Sequence, residues 1–309
     1  MKFENQFIGL TVKEILINEL EFSKRAITSL KAKPDGILIN GQHATVRARI
    51  KENDILIINC DDEGDNYDKR VPSSTLPDII YEDEDIICTN KPPFMPTHQS
   101  QGHFYDTLAN SLAYYFSLQG RPFVFRSVNR LDRNTSGVVL VAKSRLASSK
   151  LSNQMKNDAI SKTYIAILQG ELENNEGIIE THIRRKEKSI ILREVCNETE
   201  DSKIAITSYK VLAKKNGLSL VLATPITGRT HQLRVHFAHF GAQILGDDLY
   251  GEKSQLIDRH ALHAYKLCFE HPESKQKMEL WAPLPQDMKA IIEEFFGKDI
   301  IDNGTKQQN

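Results

Sequence analysis

The chain has 309 residues, 40% of them hydrophobic and 26% charged, with a formal net charge of −1. That length allows two domains and a well-buried core, the balance of residue types excludes a mostly disordered chain, and no apolar run is long enough to cross a bilayer. The opening residues, MKFENQFIGL, lack the apolar stretch and small-residue cleavage site of a secretion signal, so a cytoplasmic protein is expected.

Charge is unevenly spread. Residues 1–60 hold nine Lys/Arg against seven Asp/Glu, residues 61–90 hold two against ten, and the remainder 29 against 24. Near-neutrality therefore hides two mildly basic blocks around an acidic connector, and clustered charge matters more than the sum for binding phosphates. The four cysteines, Cys60, Cys88, Cys196 and Cys268, form no C-x-x-C pair. A zinc site is thus not expected, and the cysteines read as free buried thiols.

In chain order, TVKEILINEL sets Val12, Ile15 and Leu16 at helical spacing after a Thr cap, and Ser23 caps a second helix through KRAITSLKA. PDGILINGQ reads as a turn into a short strand ending at Asn40-Gly41, a tight-turn dipeptide, and ENDILIINC as a turn and strand. Residues 1–60 are thus a compact unit. Residues 61–78, acidic and rich in Pro and Ser, read as a linker that lets the two sides move independently. Residues 79–297 form the second unit, with a frayed tail at 298–309.

In that second unit, IIYEDEDIICTNKP reads as two strands about an acidic turn, and HFYDTLANSLAYYFSLQG as an amphipathic helix stopped by Gly120. A helix near RLASSKLSNQMKN precedes five strands: KTYIAILQG, GIIETHI, SIILREV, IAITSYKVL and LSLVLATP. HQLRVHFAHFG then reads as helical. Strands interrupted irregularly by helices point to an α+β fold with a largely antiparallel mixed sheet.

Three stretches carry chemistry. SVNRLDRNTSGVVLVAKS (residues 127–144) sets Asp132 between Arg130 and Arg133 ahead of a buried strand; a carboxylate among arginines stays ionised, as a nucleophile or a structural ion pair would. In SKTYIAILQG, Lys162 and Tyr164 project from one strand face. In TGRTHQLRVHFAHFG, Arg229 stands just before a helix that carries Arg234. The histidines His231, His236 and His239 lack the i, i+4 spacing of a helical metal site and read as satisfied or solvent-facing residues.

Together these stretches resemble the RluA family of RNA pseudouridine synthases, whose signature H-R-L-D-x-x-T-S-G is matched by NRLDRNTSG at all but its first position. YEDEDIICTNKPPFMPTH, KTYIAILQG, TGRTHQLRVHFAHFGAQILGDDLYG and HALHAYKLCFEHP extend the likeness over residues 79–285. The helix-helix-strand order of residues 1–60 resembles the S-four-type (alpha-L) RNA-binding domain.

The resemblance implies a pseudouridine synthase catalytic domain in which Asp132 is the nucleophile, Tyr164 stacks on the target uracil and Arg130 fills the gap left in the RNA. Arg234 or Arg229 would hold the Asp132 carboxylate, with helix position favouring Arg234. Lys24, Arg25, Lys31 and Lys33 would grip RNA backbone, as would Lys162. The partner would be ribosomal or transfer RNA, ribosomal being favoured by analogy, and the protein a monomer.

Uridine-to-pseudouridine isomerisation breaks a bond from the sugar to nitrogen, makes one to carbon, and oxidises nothing. No cofactor, nucleotide or metal is therefore expected, in keeping with the lack of a glycine-rich phosphate loop. Asn129, where the family has His, raises a second reading: a catalytically silent RNA-binding or ribosome-assembly protein on the same fold. A third, a glycosidic hydrolase, needs a second acid, for which Asp247 or Asp248 are the candidates.

Overall fold

The computed structural model describes residues 1–60, 73–298 and 300–301. Most of the linker and tail read from the sequence lie outside these residues. The first 60 residues contain β1 (Lys2–Glu4), α1 (Val12–Glu14, continuing as a wider π turn over Ile15–Glu19), α2 (Lys24–Ala32), β2 (Ile37–Ile39), β3 (Gln42–His43) and β4 (Ile55–Ile58). There follow β5 (Ile79–Glu82), β6 (Ile86–Lys91), α3 (Leu108–Leu118), β7 (Arg126–Ser127), β8 (Ser136–Ala142), α4 (Arg145–Lys156), β9 (Ser161–Gln169) and β10 (Glu176–Arg185). The order closes with β11 (Arg193–Cys196), β12 (Lys203–Lys215), β13 (Leu218–Pro225), α5 (Gln232–His239), β14 (Leu262–Glu270), β15 (Lys277–Trp281) and α6 (Gln286–Phe295).

Local chemistry sets many of these boundaries. Thr11 and Glu14 form a reciprocal capping box, and Ser23 accepts the Ala26 N–H at the start of α2. Asn40 and Gly41 both take positive φ, 53° and 79°, as a two-residue hairpin turn requires. The four-stranded sheet β1-β4-β2-β3 covers a small core built on Val12, Ile15, Leu16, Leu30 and Ile37.

This first unit does not stand apart from the second. Ser149 Oγ accepts the Ser23 N–H (2.6 Å) and donates to the Glu21 carbonyl (2.8 Å), Asn153 donates to the same carbonyl, and Arg145 reaches Ser29 (2.6 Å). Leu146 packs against the small core. The face of α4 is thus shared between the two units.

The large sheet has eleven strands in the order β11-β10-β12-β13-β9-β14-β8-β6-β5, with β15 on β14 and β7 on β8. All its pairings are antiparallel except β8 with β14, which gives the mixed, largely antiparallel α+β fold expected. The continuous apolar run of β8 follows from burial on both faces. Val139 and Val141 face the core that holds α3 and α6, while Val138, Leu140 and Ala142 face the core beneath α4.

Two expectations need correction. SIILREV forms a strand only from Arg193, because Ser189 Oγ accepts the Ile191 and Leu192 N–H groups and turns the chain, leaving Ile190 83% exposed. The cysteines are all free, but only Cys88 is buried and the other three are half-buried. Among the described residues, no helix is long and apolar enough to cross a membrane.

The parallel contact explains the glycine of Thr-Ser-Gly. Gly137 has φ 115°, and a Cβ placed there would lie 2.2 Å from the Ala264 carbonyl oxygen. Gly137→Ala is therefore expected to destabilise the protein by about 3 kcal/mol or more, as read by chemical denaturation against wild type; an unchanged midpoint would refute the close approach.

Candidate active site

Asp132 lies in the segment between β7 and β8, and its neighbours are fixed on all sides. Asn129 accepts the Leu140 N–H (2.8 Å) and donates to the Val138 carbonyl (3.0 Å), so its amide bridges to β8 as a strand backbone would. Thr97 Oγ1 accepts the Leu131 N–H and donates to the Leu131 carbonyl. Fully buried Lys91 donates to the carbonyls of Pro92, Met95 and Arg133. Arg259, 1% exposed, donates to the Asn134 carbonyl (2.9 Å) while Asp287 holds its other side. Thr135 and Ser136 meet His260 and His263. Burial and then Arg234 push the His260 imidazole down to about 3, so that ring is neutral.

The Asp132 carboxylate, 31% exposed, opens into a cavity of about 600 Å³. β9 contributes Lys162 and Tyr164 to its wall, as the shared strand face predicts, and β14 carries a bulge between Ala264 and Lys266, opposite Tyr164 and Thr163. Tyr164 is 9% exposed, and burial, helped by the Asp132 charge, raises its hydroxyl above the ordinary range. The Tyr164 ring therefore acts as a neutral aromatic wall. Burial likewise lowers the Lys162 amine.

Of the two arginines considered as partners of Asp132, the structure brings only Arg234 to it. Arg234 is 4% exposed, with Nη1 3.5 Å from Asp132 Oδ2. Its Nε and Nη2 fork onto Asp247 at 2.7 and 2.6 Å. Burial opposes charge on both members, but their mutual pairing outweighs it, raising Arg234 and lowering Asp247. Arg229 lines the cavity too, but its Nε donates to the Ile204 carbonyl. Gln232 holds that turn by accepting from Thr227 and the Arg229 N–H.

Asp247 is therefore no candidate for a second acid, since both oxygens are occupied and the group is held ionised; Asp248 is exposed. Arg130 lines the cavity mouth and is exposed. Lys24, Arg25 and Lys31 are exposed on α2, and Lys33 follows it half-buried, all outside this cavity.

His231, which the sequence suggests is a satisfied or solvent-facing residue, lines the cavity. It starts α5 in the left-handed region, φ 59°, at a cost of roughly 1–2 kcal/mol for a side chain other than glycine. Its Nε2 lies 3.8 Å from Asp132 Oδ2, and Nδ1 lies 2.8 Å from Tyr250 Oη. Tyr250 Oη accepts the Arg193 N–H (2.9 Å), which leaves its own proton for Nδ1. The network thus assigns the ring proton to Nε2, facing Asp132. Burial, reinforced by Arg234 and opposed by Asp132, lowers the His231 pKa, so the neutral form prevails at pH 7. His236 is a satisfied core histidine held by Thr181 and Thr207.

Among the described residues one trio could ligate a cation, Asp83, Asp85 and His271. The Asp83 carboxylate there is taken up by Tyr81, His271 and the Asp85 and Ile86 N–H groups, which close the β5–β6 turn.

Residues 85–239 match the family model described as RNA pseudouridylate synthase. The chain is 38% identical over 284 residues to the uncharacterized RNA pseudouridine synthase YjbO of Bacillus subtilis, covering 92% of this chain and 98% of that protein. It is 35% identical over 266 residues to ribosomal large subunit pseudouridine synthase C of Rickettsia conorii, covering 81% of this chain and 85% of the relative. The solved structure of human RNA pseudouridylate synthase domain containing 1 superposes with a TM-score of 0.58 at 28% identity, over 69% of this chain and 86% of that one.

Asp247→Ala would leave the buried Nε and Nη2 of Arg234 without their acceptors, with only Asp132 at 3.5 Å to match the charge. Breaking such a pair costs about 3–5 kcal/mol, which a urea titration should register; a loss below about 1 kcal/mol would mean the fork is not a structural support.

Proposed function

Because the chain belongs to the RNA pseudouridylate synthase family, we propose that it converts a specific uridine of structured RNA to pseudouridine with Asp132 as the catalytic carboxylate. The observation that carries this reading is the meeting of Asp132, Arg234 and Tyr164 in one cavity. The target nucleotide is turned out of its stack into that cavity, as enzymes acting on a base require. The C1′–N1 bond breaks beside the Asp132 carboxylate, the uracil turns over against the Tyr164 ring, and C1′ bonds to C5. The proton on C5 leaves and N1 gains one, so the change is an isomerisation. Arg130, at the mouth, takes the place of the departed base.

Arg234 and His231 divide the support of the carboxylate. Arg234 supplies fixed positive charge, aimed by Asp247. The neutral His231 ring supplies an Nε2–H directed at the same oxygen. Both are oriented before RNA arrives, which is how fixed dipoles and charges lower a barrier without reorganising.

The first 60 residues serve as an RNA-gripping domain through Lys24, Arg25, Lys31 and Lys33, with Lys162 and Arg229 meeting the phosphates nearer the cavity. Ribosomal RNA is the preferred substrate over transfer RNA, supported by the name of the Rickettsia relative. Asn129 speaks for an active enzyme, since both polar ends of its amide are bonded and the segment carrying Asp132 is held in place.

Two outcomes test this reading. Purified wild type should form pseudouridine in ribosomal RNA transcripts, while Asp132→Asn should lose at least about a thousandfold in rate and keep its RNA affinity; comparable turnover by the variant would remove Asp132 from the mechanism. Tyr250→Phe removes the donor that favours neutral His231, so the imidazole should protonate more readily. The acid limb of the rate profile should then move to higher pH, and an unmoved limb with wild-type kcat would show that the tautomer lock is irrelevant.

A further inference from the structure

Three of the five exposed aromatic side chains among the described residues, Phe94, Phe104 and Tyr105, lie in the single connection from β6 to α3; Phe240 and Trp281 are the others. Phe94 is 45% exposed and takes the left-handed region, φ 63°, at the centre of a turn. Turns ordinarily give that conformation to glycine or asparagine, because a larger side chain crowds its own backbone. Neither burial nor turn geometry accounts for phenylalanine here, and strain kept at an exposed ring points to a use for the ring.

The turn is fastened to the catalytic segment. Lys91 Nζ donates to the carbonyls that bracket it, Pro92 at 2.8 Å and Met95 at 2.7 Å, and at 3.2 Å to that of Arg133, the residue after Asp132. Thr97 Oγ1 bonds the backbone of Leu131, the residue before Asp132. The Phe94 turn is thus stapled to the Asp132 segment on both sides of the carboxylate. The chain then makes a hairpin closed by Ser100 and His103, and Phe104 returns beside Gln99, whose Nε2 donates to its carbonyl (2.6 Å). Phe104 and Tyr105, 54% and 64% exposed with ring centroids 6.4 Å apart, belong to the same fastened connection.

We infer that the β6–α3 connection is a stacking platform for unpaired RNA bases flanking the target uridine, with Phe94 as its principal ring. The inference rests on the reading of the protein as acting on RNA, and adds the kind of RNA it takes: a loop or single-stranded stretch, whose bases offer free faces, rather than a continuous duplex. Aromatic rings stack on any base, and turning a uridine out of its stack leaves adjoining bases that need a new partner.

The test compares two RNA hairpins with the same stem, one closed by an oligouridine loop and one by a loop of abasic ribose-phosphate units, which keeps the charge and removes the bases. Wild type should bind the oligouridine loop more tightly. Phe94→Gly should reduce that preference at least about fivefold and leave the slope of log affinity against log salt unchanged, since that slope follows phosphate contacts and not stacking. It should also keep or raise the thermal midpoint, because glycine takes a φ of 63° without strain. Phe94→Trp should retain the preference, and Phe94→Leu, apolar but without a ring, should lose it. No preference by wild type, or one untouched by Phe94→Gly and Phe94→Leu, would overturn the platform and leave the exposed rings to a protein partner. Equal losses in Phe94→Trp and Phe94→Leu would overturn it as well, since the effect would not follow the aromatic face. Pseudouridine formation by wild type in ribosomal RNA transcripts reports the underlying reading separately: its absence fails that reading, while formation alongside an unaffected preference fails the platform alone.

Discussion

The fork between Arg234 and Asp247 is the constraint around which the site is arranged. A guanidinium 4% exposed is tolerable in a protein interior only if its charge is matched and its N–H groups are directed. Asp247 does both, fixing the rotation of the guanidinium plane so that Nη1 faces Asp132. The Tyr250 ring packs against the same guanidinium, 5.1 Å from its centroid, while its hydroxyl sets the His231 tautomer. One buried charge thus orients two groups that converge on one carboxylate.

A second buried pair steadies the other side of that carboxylate. Arg259, held by Asp287 at the start of α6, reaches back to the Asn134 carbonyl. Gly246 joins the two pairs: its φ is 75°, and a Cβ there would stand 2.4 Å from the Arg259 carbonyl oxygen. The chain can therefore bring Asp247 and Arg259 close together only with glycine between them. Lys91, Thr97 and Asn129 complete the fastening of the Asp132 segment. A site held by packed, hydrogen-bonded neighbours keeps its geometry through the reaction better than a free loop would.

Much of this was legible in the sequence because it was local. Capping residues, Asn40-Gly41, and the alternation that sets Lys162 beside Tyr164 all act within a few positions, and the Asp132 motif is contiguous. What was not legible depended on distance along the chain. Asp247 is 13 residues from Arg234, and GDDLYG alone offers two aspartates of equal standing; only the fold makes one buried and the other exposed. His231 stood among three unremarkable histidines, and its role depends on Tyr250 and on the backbone of β11. Asn129 read as a departure from the family pattern, yet its two ends bond to β8. Strands β14 and β15 went unread in the sequence; β14 pairs with three neighbours and its first three residues are all buried, which removes the clean alternation of a half-buried strand.

The central claim is that this arrangement, with Asn129 in place, is a working RNA pseudouridine synthase. The most direct measurement is nucleotide-resolution pseudouridine mapping of total RNA from cells with and without the gene, with the wild-type gene restored as the third sample. The account predicts at least one uridine, in ribosomal RNA, that is left unmodified on deletion and regains pseudouridine on restoration. An identical map in all three samples, with the protein expressed, would contradict it.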